Sequence, residues 1–231
     1  MFILFEGIVG TGKTTHLHRL SAYLSKKDIP NEVFKSRDSA QLGMVGCPKC
    51  NEEVPVDVRE MQTNPIPKYL AFLGSITYLN SKILKTESQG MWSVVDRYIY
   101  TQMAYTRKFN PGWIDSMNDI VKNNIVKPDI TFWLTGDIDW LVKNRPGFKF
   151  SGFSVADLKD LNEYYGESLP VSATYRIDVT KKTPDQTFQE IRTIVIPYME
   201  KSQCSSTLRK LSKQIILKGS KKVKSEQHPS T

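Results

Sequence analysis

The chain has 231 residues, 39% of them hydrophobic and 24% charged, and a formal net charge of +8. That is enough apolar material for one sizeable core, and no apolar run reaches the ~18 residues needed to span a bilayer. Cys47, Cys50 and Cys204 are too few and too odd in number for a disulfide framework, and "MFILFEG" lacks the basic flank of a signal peptide, so a soluble cytoplasmic protein is expected.

The positive charge is local. From Lys201 onward eight Lys or Arg residues face one acid, Glu226, which leaves about +1 for residues 1–200. A basic body made for nucleic acid is thereby excluded, and only the tail keeps that option.

In chain order, "FILF" (2–5), "EVF" (32–34), "WSVVD" (92–96), "DITFWL" (129–134) and "TYRIDV" (174–179) are apolar, β-branched runs that predict strands. Helical spacing lies between them: Leu17, Leu20 and Leu24 after the first strand, then Leu70, Leu73, Ile76, Leu79 and Ile83 before "WSVVD". Phe188, Ile191 and Val195 predict a last helix after Pro184. Strands alternating with helices predict an α/β protein whose parallel sheet binds ligands at the carboxyl ends of its strands. Residues 37–65 form a connection too long for a plain loop and are expected to have structure or function of their own. In the tail, Leu208, Leu211 and Ile215 mark a short basic amphipathic stretch. It reads as a mobile, solvating tail, with a docked helix or a nucleic-acid contact as the alternatives.

The most specific pattern is "GIVGTGKTT", in which Gly7, Gly12, Lys13 and Thr14 have the Gly-x4-Gly-Lys-Thr spacing directly after a strand. Such a loop lets the backbone approach phosphates closely, and the helix opened by Thr14 and Thr15 points its amides at an anion. Lys13 is expected at the β and γ phosphates, Thr14 on a magnesium ion, and Gly10 within the ATP-binding loop. At the end of the third strand "VVDRYIYTQMAYTR" places Asp96 and Arg97 beside this loop. The carboxylate there suits magnesium or an acceptor proton, and the guanidinium suits a second phosphate.

Together "FEGIVGTGKTT", "DRYIYTQMAY", "PDITFWL" and "YRIDV" resemble the thymidylate kinase family over roughly residues 1–200. The resemblance implies a P-loop kinase three-layer sandwich with a five-stranded parallel sheet. It also implies transfer of the ATP γ-phosphate to a nucleoside monophosphate, with dTMP giving dTDP, in a homodimer. By position, Arg97 binds the acceptor phosphate, Asp96 acts near magnesium, Phe72 stacks on the acceptor base, Tyr105 sits by the deoxyribose, and Thr101 is the family's small hydroxyl residue. Arg37 takes the place of an arginine after the second strand. A lid around 143–153 offers Lys143, Arg145 and Lys149 as transition-state cations, with Arg145 the first choice.

The sequence departs from the family mainly on the acceptor side. Val9 stands where an aspartate is usual, and the base-reading helix arginine falls, by ungapped count, on Ser75. A deoxynucleoside kinase, and a non-catalytic nucleotide-binding protein using the basic tail, are the alternative functions. The inserted "GCPKCNEE", around 44–56, presents Cys47 and Cys50 at the spacing of half a zinc knuckle. A site shared across a dimer, plain thiols and a redox pair all remain open.

Overall fold

The structure, a computed structural model, describes residues 1–36, 45–46, 53–54, 65–109, 114–145 and 153–202. The chain divides into two compact units, Met1–Phe188 and Gln189–Thr231.

Five parallel strands carry the first unit: β1 (Phe2–Glu6), β2 (Asn31–Lys35), β5 (Trp92–Asp96), β6 (Ile130–Thr135) and β7 (Thr174–Asp178). Their order is β2-β5-β1-β6-β7, which puts β1 at the centre. Every residue of β1 and β5 is buried, whereas β2 and β7 keep partly exposed residues. This is the expected difference between strands covered on both faces and strands at a sheet edge. Phe5 packs on Phe132 of β6 with ring centres 5.1 Å apart, and Phe2 meets Tyr98 edge-on at 5.4 Å.

The helices of this unit are α1 (Lys13–Ser25), α2 (Pro65–Ser88), α3 (Ile99–Phe109), α4 (Ile114–Asn124), α5 (Ile138–Asn144) and α6 (Val155–Ser168). Residues 184–202 form α7, which begins in the first unit and runs into the second. Leu17, Leu20 and Leu24 are buried on α1, as their spacing predicts. On α2 the buried face is Tyr69, Leu73, Ile76, Leu79 and Ile83, while Leu70 is 44% exposed. The predicted stripe therefore starts one residue too late, because Tyr69 and Leu73, four apart, share a face that Leu70 misses.

Within the long connection, β3 (Val45–Gly46) and β4 (Glu53–Val54) pair antiparallel. Cys47 and Cys50 lie outside the described residues, as do Arg37, Lys149 and Cys204. Among the described residues no cluster of three or more His, Cys, Asp or Glu side chains suits a metal ion. No helix among them is long and apolar enough to cross a membrane.

Candidate active site

The phosphate loop leaves the central strand at Glu6 and returns as α1 at Lys13. Gly7 has φ 130° and Gly12 has φ 89°, both in the left-handed half of the map that glycine tolerates. Gly7 also lies against the Leu134 carbonyl of β6, so a Cβ there would overlap backbone. Lys13 is buried, and its Nζ donates to the Ile8 carbonyl at 2.6 Å, while Thr11 Oγ1 donates to the same oxygen at 3.0 Å. Gly10 lies in the loop, and Thr14 and Thr15 are exposed on the first turn of α1, where unpaired amides favour an anion.

Parallel pairing of β1 with β5 sets Phe5 opposite Asp96, so the carboxyl end of β5 opens beside the loop. Thr14 Oγ1 donates to Asp96 Oδ2 at 2.6 Å. Asp96 is buried, and its Oδ1 has no hydrogen-bond partner. A hydroxyl beside a carboxylate with an unused oxygen is a donor set that fits a hard divalent cation, so these two residues suit magnesium.

Arg97 follows with φ 69°, a conformation that costs an arginine about a kcal/mol or more. Its amide donates to the Phe5 carbonyl at 3.0 Å, which ties the turn to the central strand. Its NH1 donates to Tyr165 Oη at 2.8 Å and to Thr101 Oγ1 at 3.3 Å. Burial disfavours the charge, but Tyr165, Tyr105, Asp96 and Glu6 together raise the Arg97 pKa, so the guanidinium stays protonated.

Glu6 is fully buried beneath this turn. Its Oε1 accepts from the Tyr98 amide at 2.8 Å and the Thr101 amide at 3.3 Å, and its Oε2 accepts from Thr101 Oγ1 at 2.5 Å. Burial pushes its pKa from 4.5 up to about 7, against the opposing pull of Thr101, Arg97, Tyr98 and Lys13. An acid raised in the folded state contributes stability that is complete below pH 4.5 and is lost as pH rises through about 7. Glu6→Gln removes this dependence. Between pH 5 and pH 8 the variant should gain about 3 kcal/mol on the parent, read as urea-unfolding free energies, and a constant difference across that range would refute it.

Of the other expected acceptor residues, Phe72 is half-buried on α2, and its carbonyl accepts from Ser75 Oγ at 3.0 Å. Ser75 is buried, so the expected arginine position carries a small side chain bonded to its own helix. Tyr105 lies near enough to Arg97 to raise its pKa, and its ring meets Phe153 edge-on at 5.8 Å. Thr101 is joined to Glu6 and Tyr165.

Arg145 ends α5 elsewhere on the loop's surroundings. Its NH2 donates to the Val179 and Lys182 carbonyls at 3.3 and 3.2 Å. It also contributes, after burial and Arg19, to lowering the His16 pKa to about 4, which places its charge on the α1 side of the loop. The structure thus brings together Lys13, Thr14, Asp96, Arg97, Thr101 and Tyr105, and it ties Arg145 to the chain after β7. Lys143 is exposed on α5.

Glu6 and Tyr165 are the residues that sequence reasoning missed. A carboxylate closing the apolar run "FILFE" was a visible signal for Glu6. Tyr165 had none, since "NEYYGE" matches no motif and only packing brings it to Arg97.

Residues 5–191 match the sequence model of the thymidylate kinase family. The thymidylate kinase of Thermosipho africanus is 30% identical over 211 residues, spanning 87% of this chain and all of the relative. A probable thymidylate kinase of Methanocaldococcus jannaschii is 30% identical over 197 residues, spanning 83% and 93% of the two chains. The solved structure of Candida albicans thymidylate kinase superposes with a TM-score of 0.64 over 85% of this chain and 91% of that one, at 22% identity, a likeness of fold. With the family pattern covering most of its length and full-length relatives at this identity, the chain belongs to the thymidylate kinase family.

Proposed function

We propose that this chain transfers the γ-phosphate of ATP to dTMP, giving dTDP. The observation that carries the reading is the 2.6 Å bond between Thr14 of the phosphate loop and Asp96, the neighbour of Arg97. It sets a cation-binding pair between a donor-phosphate loop and a guanidinium suited to an acceptor phosphate. Thymine as the base rests on the family and its named relatives.

An acceptor phosphate already carries its nucleophilic oxygen, so the residues act by positioning and charge. Lys13 and the amides of α1 hold the donor phosphates, and Arg97 holds the acceptor in line with them. Tyr105 lies by the acceptor sugar and Phe72 by its base, with Arg37 as a further acceptor contact. Magnesium, held by Thr14 and Asp96, supplies neutralisation of charge on the phosphates when bound. Arg145, whose NH2 donates to two carbonyls, is the cation that lid closure over nucleotide would bring to the transferring phosphate.

The kinase body in this reading is residues 1–200, with the inserted Cys-x2-Cys segment around 44–56 and a lid around 143–153. Residues 201–231 are a basic tail. A homodimer is supported by the exposed apolar residues Leu70, Tyr78 and Leu84 on α2, and a monomer at micromolar concentration in sedimentation equilibrium would reject it. A coupled ADP-release assay across the nucleoside monophosphates tests the activity. Turnover with dTMP, abolished by EDTA, is expected. Turnover with thymidine alone, or with no acceptor at all, would sink the reading.

A further inference from the structure

Tyr165 lies on α6, fully buried, and takes part in none of the motifs that identify the site. Its hydroxyl accepts from Arg97 NH1 at 2.8 Å and lies 2.8 Å from Thr101 Oγ1. When Glu6 is ionised, the one hydroxyl proton of Thr101 goes to Glu6 Oε2. Tyr165 must then be the donor toward Thr101, which leaves its lone pairs facing Arg97.

With Glu6 ionised, direction in this chain is fixed from below. The Tyr98 and Thr101 amides both donate to Glu6 Oε1, so the carboxyl group cannot turn without losing them, and Oε2 stays under Thr101. The seat of Tyr165 is fixed as well. At Gly166, the next residue, a Cβ would lie 2.9 Å from the Trp133 ring of β6, so α6 approaches the sheet as closely as its side chains permit.

We infer that Tyr165 is a positioning residue that aims the Arg97 guanidinium at the acceptor phosphate, with Thr101 and Glu6 setting the direction of its hydroxyl. The inference rests on the assignment of Arg97 to that phosphate. NH1 of Arg97 is committed to Tyr165 and Thr101, which leaves NH2 and Nε, the other edge of the fork, for a bidentate grip on two phosphate oxygens. Holding a long side chain in place before the acceptor arrives removes an ordering cost from binding.

Steady-state kinetics on the full chain, with ATP and dTMP varied separately, test it. Tyr165→Phe keeps the ring and removes the hydroxyl; the dTMP KM should rise about 10-fold or more while the ATP KM stays within about twofold. Thr101→Val should act in the same direction, and Thr101→Ser should recover most of what Val loses. Adding Tyr165→Phe to Arg97→Lys should cost little beyond Arg97→Lys alone, because both act through one guanidinium. A raised dTMP KM for Arg97→Lys with an unchanged one for Tyr165→Phe overturns the positioning role alone. An unchanged dTMP KM for Arg97→Lys overturns the assignment of Arg97, and the inference with it. Equal rises in both substrates' KM for Tyr165→Phe would show a structural residue and also overturn it.

Discussion

Lys13→Met should lower kcat by about 10²–10³-fold while leaving the fold in place, as measured by single-turnover phosphoryl transfer and by the thermal midpoint. Methionine keeps an unbranched apolar stem in the buried position and removes only the ammonium. In the structure that ammonium donates to the Ile8 carbonyl inside the loop, so it is already held where the donor phosphates would lie. Charge that develops on a transferring phosphoryl group is stabilised by cations that need no reorganisation, and this one is pre-placed. The acceptor KM should change little, since in the proposed reading Arg97 serves the other phosphate. A kcat within fivefold of the parent would remove Lys13 from the chemistry.

Gly7→Ala should be the most damaging small substitution in the molecule, with a loss of about 3 kcal/mol or more in urea and no measurable ATP binding by calorimetry. Two costs coincide there. The residue sits at φ 130°, where L side chains are strained, and its Cβ would fall against the Leu134 carbonyl, with the carbonyl carbon at 3.2 Å. That obstacle is backbone of β6, directly paired to β1, so it can yield only if the sheet moves. Gly90→Ala separates the two effects. Gly90 has φ 74° but open space around its Cα, so alanine there should cost about 1–2 kcal/mol and leave ATP binding intact. Equal losses at the two sites would show that backbone conformation alone, and not the approach to Leu134, makes Gly7 necessary.

Much of the donor half of the site was legible in the sequence, because its parts are local. The Gly-x4-Gly-Lys-Thr run, the strand before it and the helix after it are contiguous, and the backbone they dictate is the same wherever the element sits. Asp96 and Arg97 were legible for a related reason, since a strand's carboxyl end in a parallel sheet is a predictable place. Helix phase was less secure. The stripe predicted to begin at Leu70 begins at Tyr69, because an apolar residue at a face's edge can turn either way and the neighbouring elements decide.

The sequence by itself determined the α/β class, the phosphate loop, the family and the acid-arginine pair, all of which depend on spacing along the chain. Tertiary structure alone decided the surroundings of Arg97. Glu6, Thr101 and Tyr165 come from β1, α3 and α6, and they meet Arg97 because β1 pairs with β5 while α6 packs against α3. The buried carboxylate, whose pKa rises to about 7, owes that shift to exclusion from water. Neither the company a side chain keeps nor its distance from solvent is written in residue order, because both are set only when distant segments close over one another.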